Sequence, residues 1–157
     1  MKKTVLLVSL AFISSYSLAN DCFDLAGRDY RIDPDLLRAI AWKESRFNPR
    51  AIGRSPDKSI DIGLMQINSQ HADTFRPLGI SMQRLHTDPC LNIYTGAYVL
   101  AKAFKKWGVN WNAVGAYNAG FKQTREQAEK RYHYAKDIHT YYLAIKNSKN
   151  HLAKSDR

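Results

Sequence analysis

The stretch between residues 33 and 69 constrains this chain more than any other. Asp33 is a strong N-cap, and Pro34 suits the first helical position, where a missing N–H leaves nothing unpaired. Leu37, Ile40, Ala41 and Phe47 then recur at helical spacing, and Glu44 falls on the same stripe between Ile40 and Phe47. A lone carboxyl on an apolar face is expensive unless it is paired or neutral, and desolvation raises its pKa. Periodicity leaves two readings of Glu44. It is either a dry acid that keeps a proton near neutral pH, as a general acid must, or a helix-end glutamate whose head reaches water. Asp61 heads the later run Asp61-Ile62-Gly63-Leu64-Met65-Gln66-Ile67-Asn68. By itself it reads equally as a turn aspartate bonded to nearby backbone N–H groups.

The rest of the chain is read mostly as helices. A first helix is expected from Asn20 or Asp21 to about Tyr30, with Cys22, Leu25 and Ala26 facing inward. Residues 48–58 are rich in Pro, Gly, Ser, Asn and charge and read as a loop. A small β element is expected near residues 59–63, and a short helix from Leu64. One helical turn follows near residues 81–85. Thr87-Asp88-Pro89 opens a longer helix to about Trp107, ended by Gly108. A short helix from Asn110 or Trp111 stops near Gly120, and a last long one covers about residues 124–145. Residues 146–157 are polar and basic and read as a frayed, flexible tail. The expectation is a mostly α single domain.

Residues 1–19 read as a secretory signal peptide. Lys2 and Lys3 form the positive end, residues 5–13 the apolar centre, and Ser17-Leu18-Ala19 the cleavage site. The apolar run is too short to span a bilayer comfortably, so no transmembrane segment is expected in the mature chain. Cys22 does not directly follow the cut, which argues against lipidation. Export to the periplasm and a count of two cysteines most simply mean one disulfide, Cys22–Cys90; the alternative is two buried thiols. Cleavage after Ala19 leaves 138 residues with 22 basic and 14 acidic side chains, a formal +8. That balance suits an anionic partner. No helix-turn-helix, RNA-binding or zinc-finger signature appears, so nucleic acid is not expected.

Four segments carry a family resemblance. Glu44-Ser45-Arg46-Phe47-Asn48-Pro49 followed by Gly63-Leu64-Met65-Gln66-Ile67-Asn68 resembles the lysozyme-like superfamily, in particular the bacterial lytic transglycosylases. Residues 59–69 are also similar to a stretch of animal-type lysozymes. Ala116-Tyr117-Asn118-Ala119-Gly120 resembles the third transglycosylase motif, and Tyr134 in Tyr134-Ala135-Lys136-Asp137-Ile138 the tyrosine of the fourth. Small size, two cysteines and a leader make the chain similar to the short invasion-associated muramidases that accompany type III and type IV secretion systems and pili. The resemblance covers essentially the whole mature chain.

It implies a lysozyme-like domain over residues 20–145 acting on peptidoglycan glycan strands. Glu44 is then the general acid and Asp61 the second carboxyl, a pairing for which lysozyme is the standard example. Ser45, Gln66, Asn68, Tyr117 and Asn118 would contact substrate, and Tyr134 would orient Glu44. Gly63 and Gly120 read as backbone requirements. Asp61 departs from most lytic transglycosylases, which use one catalytic glutamate. Residues 116–120 and Tyr134 turn the expectation to the lyase route, cleavage between N-acetylmuramic acid and N-acetylglucosamine with formation of a 1,6-anhydro ring; a lysozyme-type hydrolase using Glu44 and Asp61, and a wall-binding component without turnover, are the alternatives. Trp42, Trp107 and Trp111 could stack on sugar faces, but core is the expected place for most of them. The histidines His71, His86, His133, His139 and His151 lack metal-site spacing, so neither a metal nor another cofactor is expected.

Overall fold

In the computed structural model, which describes residues 15–55 and 57–155, Asp33 caps the helix that carries Glu44. Its side chain accepts from the Asp35 N–H, and Pro34 opens the helix α2 (Pro34–Ser45). Before it runs α1 (Ser15–Tyr30). That helix begins ahead of the expected start at residue 20, and most of the expected signal peptide lies outside the described residues. A three-stranded antiparallel sheet follows, with β1 (Ile52–Arg54), β2 (Ile60–Ile62) and β3 (Ile67–Asn68) in that order. It is wider than the sequence suggested. Residues 48–58 hold a strand as well as a loop, and the segment from Leu64 is a turn leading into β3 rather than a helix. Local propensity is weak over such short segments; pairing across the sheet decides them.

Short helical turns lead from β3 to α3 (Ala72–Phe75) and α4 (Met82–Thr87). The central helix is α5 (Pro89–Trp107), capped by the Asp88 side chain on the Leu91 N–H. Asn110 caps α6 (Trp111–Ala119) in the same way, and α7 (Arg125–Ser155) closes the chain. The mostly α architecture agrees with the sequence reading.

The core gathers Phe23, Leu37, Ile40, Met65, Leu85, Ile93, Leu100 and Ile138, all essentially sealed from water. Helix α5 packs on α1 and α6, while α7 packs on α2 and α6. The Cys22–Cys90 disulfide joins α1 to the start of α5, across a sequence separation of 68. In the chain-entropy picture closing such a loop stabilises the fold by about 4 kcal/mol.

The tail reading is corrected. Helix α7 continues without a break past Ile145 to Ser155, because its last turns have partners. Lys146 Nζ lies 2.8 Å from Asp33 Oδ2, and Lys149 Nζ 2.5 Å from Asp35 Oδ1. Among the described residues, no helix is long and apolar enough to cross a membrane.

Candidate active site

Glu44 sits in the last turn of α2, where the helix is stopped abruptly. Arg46 and Phe47 both take left-handed backbone angles, φ 54° and 60°, and turn the chain away. The Ser45 hydroxyl lies 2.9 Å from the Leu64 carbonyl and ties that helix end to the sheet turn. Behind Glu44, Tyr134 of α7 donates from its hydroxyl to Glu44 Oε1 at 2.5 Å. Tyr134 is itself buried and lies nearly parallel to Tyr117, 15° between the planes. The Tyr117 hydroxyl donates in turn to the Met65 carbonyl at 2.8 Å.

Burial pushes the Glu44 carboxyl up to about 7. The Tyr134 hydrogen bond opposes this by favouring the carboxylate, the Asp61 charge adds to it, and Lys43 pulls it down again. Burial also holds the hydroxyls of Tyr117 and Tyr134 far above the usual phenol range, so both stay neutral donors. Glu44 is half-buried at the cleft wall with one oxygen under Tyr134 and its pKa raised, which is closer to the dry acid than to a helix-end glutamate open to water.

Asp61 reaches the site through the register of the sheet. It lies opposite Asn68 on β3 and Gly53 on β1. Cross-strand partners share a face, so the Asn68 amide donates to Asp61 Oδ1 at 2.8 Å. The Ser55 hydroxyl lies 3.3 Å from Asp61 Oδ2. Gly53 leaves that face open: a Cβ there would stand 2.7 Å from Gln66 Oε1 and 3.4 Å from Asp61 Oδ2. Gln66 is another residue with left-handed backbone, φ 48°. Its amide donates to the Gly63 carbonyl at 2.9 Å, which fixes the turn and aims Oε1 outward over Gly53.

These residues border a polar cleft of about 300 Å3. The structure brings Glu44, Asp61, Gln66, Asn68, Tyr117 and Asn118 to its walls. Ser45 and Tyr134 do not line it. Ser45 spends its hydroxyl on backbone carbonyls, and Tyr134 acts on the site only through Glu44. Asn68 has little left for a ligand, since its amide nitrogen holds Ser59 and Asp61 and its oxygen caps Gln70.

The sequence reading missed Ser55, Gln70, His71 and Val99, which also line the cleft. Ser55 and His71 come from segments whose course depends on strand pairing, and Val99 looks like any core residue of α5. It also missed Asn92 and Arg131. Buried Asn92 donates to the Ile62 and Leu85 carbonyls and accepts from the Met65 N–H, pinning the sheet turn to α4 and α5. Buried Arg131 holds the carbonyls of Gly120 and Lys122, just beyond Asn118. Trp42 and Trp111 are surface residues rather than core. Among the described residues, no cluster of His, Cys, Asp and Glu could hold a metal ion.

A carboxyl that keeps its proton near neutral pH, across a polar groove from a second carboxyl, can protonate a leaving oxygen as a sugar–oxygen bond breaks. The fold and the cleft thus define a glycan-cleaving enzyme of the lysozyme-like class. The profile of the family described as Transglycosylase SLT domain matches residues 21–140. The X polypeptide of Escherichia coli (strain K12) is 58% identical over 149 residues, 95% of this chain and 88% of that protein. Invasion protein IagB of Salmonella typhimurium (strain SL1344) is 44% identical, covering 80% of this chain and 78% of that protein. Protein IpgF of Shigella flexneri is 41% identical, covering 88% and 89%. An inactive mutant of the lytic transglycosylase Slt from Pseudomonas aeruginosa superposes with a TM-score of 0.64 and 25% identity. It covers 88% of this chain, which spans 25% of that longer one. The chain therefore belongs to the transglycosylase SLT domain family and is a peptidoglycan lytic transglycosylase.

Proposed function

We propose that the enzyme cleaves the β-1,4 bond between N-acetylmuramic acid and N-acetylglucosamine and leaves a 1,6-anhydro-muramyl end. The observation that carries this is the Glu44 carboxyl at the cleft wall, held by the Tyr134 hydroxyl and pushed by burial up to about 7. Glu44 gives that proton to the leaving oxygen as the C1–O bond breaks and positive charge develops at C1. The sugar's own 2-acetamido group assists. The Glu44 carboxylate then takes the proton of the 6-hydroxyl while O6 closes on C1, so the carboxyl is regenerated and no water is consumed. Tyr134 holds the carboxylate in line between the two transfers. Asp61, anchored by Asn68 and Ser55, faces the developing positive charge and stabilises it. Gln66 and Asn118 offer amide groups to sugar hydroxyls and N-acetyl groups.

A second reading, hydrolysis by water with Asp61 as the paired carboxylate, is favoured by that same hydrogen-bonded Asp61. Mass spectrometry of digested sacculi separates the two, since an anhydro-muramyl end means the lyase and a reducing end the hydrolase. Glu44→Gln is expected to fold, bind sacculi and lose activity; undiminished cleavage refutes the assignment. Asp61→Asn loses part of the activity in the lyase and nearly all in the hydrolase.

The cellular role we assign is local opening of the wall in the periplasm for a secretion machine or pilus, after removal of residues 1–19. The disulfide suits an oxidising compartment, and the likeness to a Salmonella protein named for invasion supports the role.

A further inference from the structure

A second cavity, of about 230 Å3, shares His71, Val99, Tyr117 and Asn118 with the catalytic cleft, so the two are branches of one groove. Its character differs from that of the cleft. The branch is surfaced by the rings of Phe75, Tyr98 and Phe121, with Lys102 at its edge. Tyr98, Lys102 and Lys106 stand at four-residue intervals along one face of α5. Lys102 Nζ lies 5.6 Å from the Tyr98 ring centre, and Lys106 Nζ 4.4 Å from that of Phe121. The edge of Trp107 holds Phe121 from another side, 5.0 Å between centres.

The charges are arranged unevenly. Residues 89–124, which include α5, α6 and the segment after them, contain four lysines and no aspartate or glutamate. Neither Lys102 nor Lys106 has a carboxylate partner among the described residues, whereas Lys43, Lys130, Lys146 and Lys149 each have one. On α3, beside the branch, Asp73 is exposed and paired with Arg76. One end of the groove therefore carries Glu44 and Asp61, and the other carries uncompensated cations over aromatic faces. A ligand with an anionic, partly apolar substituent can enter in only one sense without setting carboxylate against carboxylate.

We propose that this branch is the subsite for the carboxylate-bearing peptide that hangs from the glycan, with Lys102 and Lys106 as its pairing cations. The proposal rests on the peptidoglycan reading above. Tyr98 and Phe121 supply apolar surface for alanine-like methyl groups, and the lysines take the carboxylates. The contact lies away from the reacting atoms, so it governs which strands bind and in which direction, and leaves the proton transfers to Glu44.

The test compares intact glycan strands with the same strands stripped of peptide by an amidase. The wild type is expected to show a KM about five- to tenfold lower for peptide-bearing strands, as for two exposed ion pairs, and added salt erases the difference. Lys102→Gln/Lys106→Gln loses the preference, with kcat on both substrates and KM on stripped strands unchanged. Lys102→Arg/Lys106→Arg keeps it. Equal KM values in the wild type, or an equal loss on both substrates in the Gln variant, overturn the proposal while leaving the enzymatic reading intact. Failure of the wild type to cut either substrate removes both.

Discussion

Glu44 and Tyr134 work as one unit. The hydroxyl favours the ionised carboxylate while burial disfavours it, and the balance leaves the carboxyl near 7. With Glu44 as the proposed acid, the first step needs its proton, and activity is expected to fall as pH rises past about 7. Tyr134→Phe removes the contact that favours the carboxylate, so the Glu44 pKa rises further and the alkaline limb of the kcat profile moves to higher pH. A loss of about tenfold in kcat accompanies the shift, from poorer orientation of the carboxyl. A limb that stays in place or moves to lower pH contradicts this account. Asn68 shows the same logic one layer out. Expected as a sugar-reading amide, it is committed to Asp61, Ser59 and Gln70, and its part in the proposed reaction is to hold Asp61.

The small sheet turns a sequence spacing into a site. Antiparallel pairing places Gly53, Asp61 and Asn68 side by side, and the missing side chain at Gly53 opens the cleft face between Asp61 and Gln66. Gly53→Ala is therefore expected to cost about 1–2 kcal/mol, because the crowded Gln66 side chain must shift and weaken its hydrogen bonds to the Gly63 and Ala51 carbonyls. The displaced side chains should lower kcat on the order of tenfold. Thermal melts and sacculus-clearing rates on one preparation check both halves. An unchanged rate means that the gap at Gly53 has no part in placing Asp61. Helix α5 is the floor on which this is built, because Asn92 fastens the sheet turn to it.

Across the whole molecule, the two ends of the described chain brace the helix that carries Glu44. The disulfide anchors α1, and the last turns of α7 clamp the start of α2 through Asp33 and Asp35. Burial alone would raise both carboxyls, but the lysine hydrogen bonds, with Tyr142 on Asp33, outweigh it and hold both below the usual range. A lowered folded-state pKa means stability that is present above the unfolded value and lost as pH falls through the folded one. Truncation after Ile145 removes Lys146 and Lys149 and is expected to cost about 1–3 kcal/mol at neutral pH, discounted because both lysines are half-exposed. The difference from wild type should shrink below about pH 4, where these carboxylates become protonated. A truncated form as stable as wild type at pH 7 refutes the clamp.

Periodicity and capping residues alone told of α2, α5 and α6 and of the carboxyl set on an apolar stripe, since a helix is decided by contacts three or four residues apart. The family was told by the order of four short motifs along residues 44–138, each legible without its partners in space. The three strands, the cleft face shared by Ser55 and His71, the commitment of Ser45 and Asn68 to their own chain, and the continuation of α7 to Ser155 depend on partners distant in sequence. Asp35 meets Lys149 only once the helices have packed, whereas the meeting of Glu44 with Tyr134 was expected through the family resemblance and not through any local pattern. Pairing of that kind leaves no local pattern, so folding in three dimensions had to decide it.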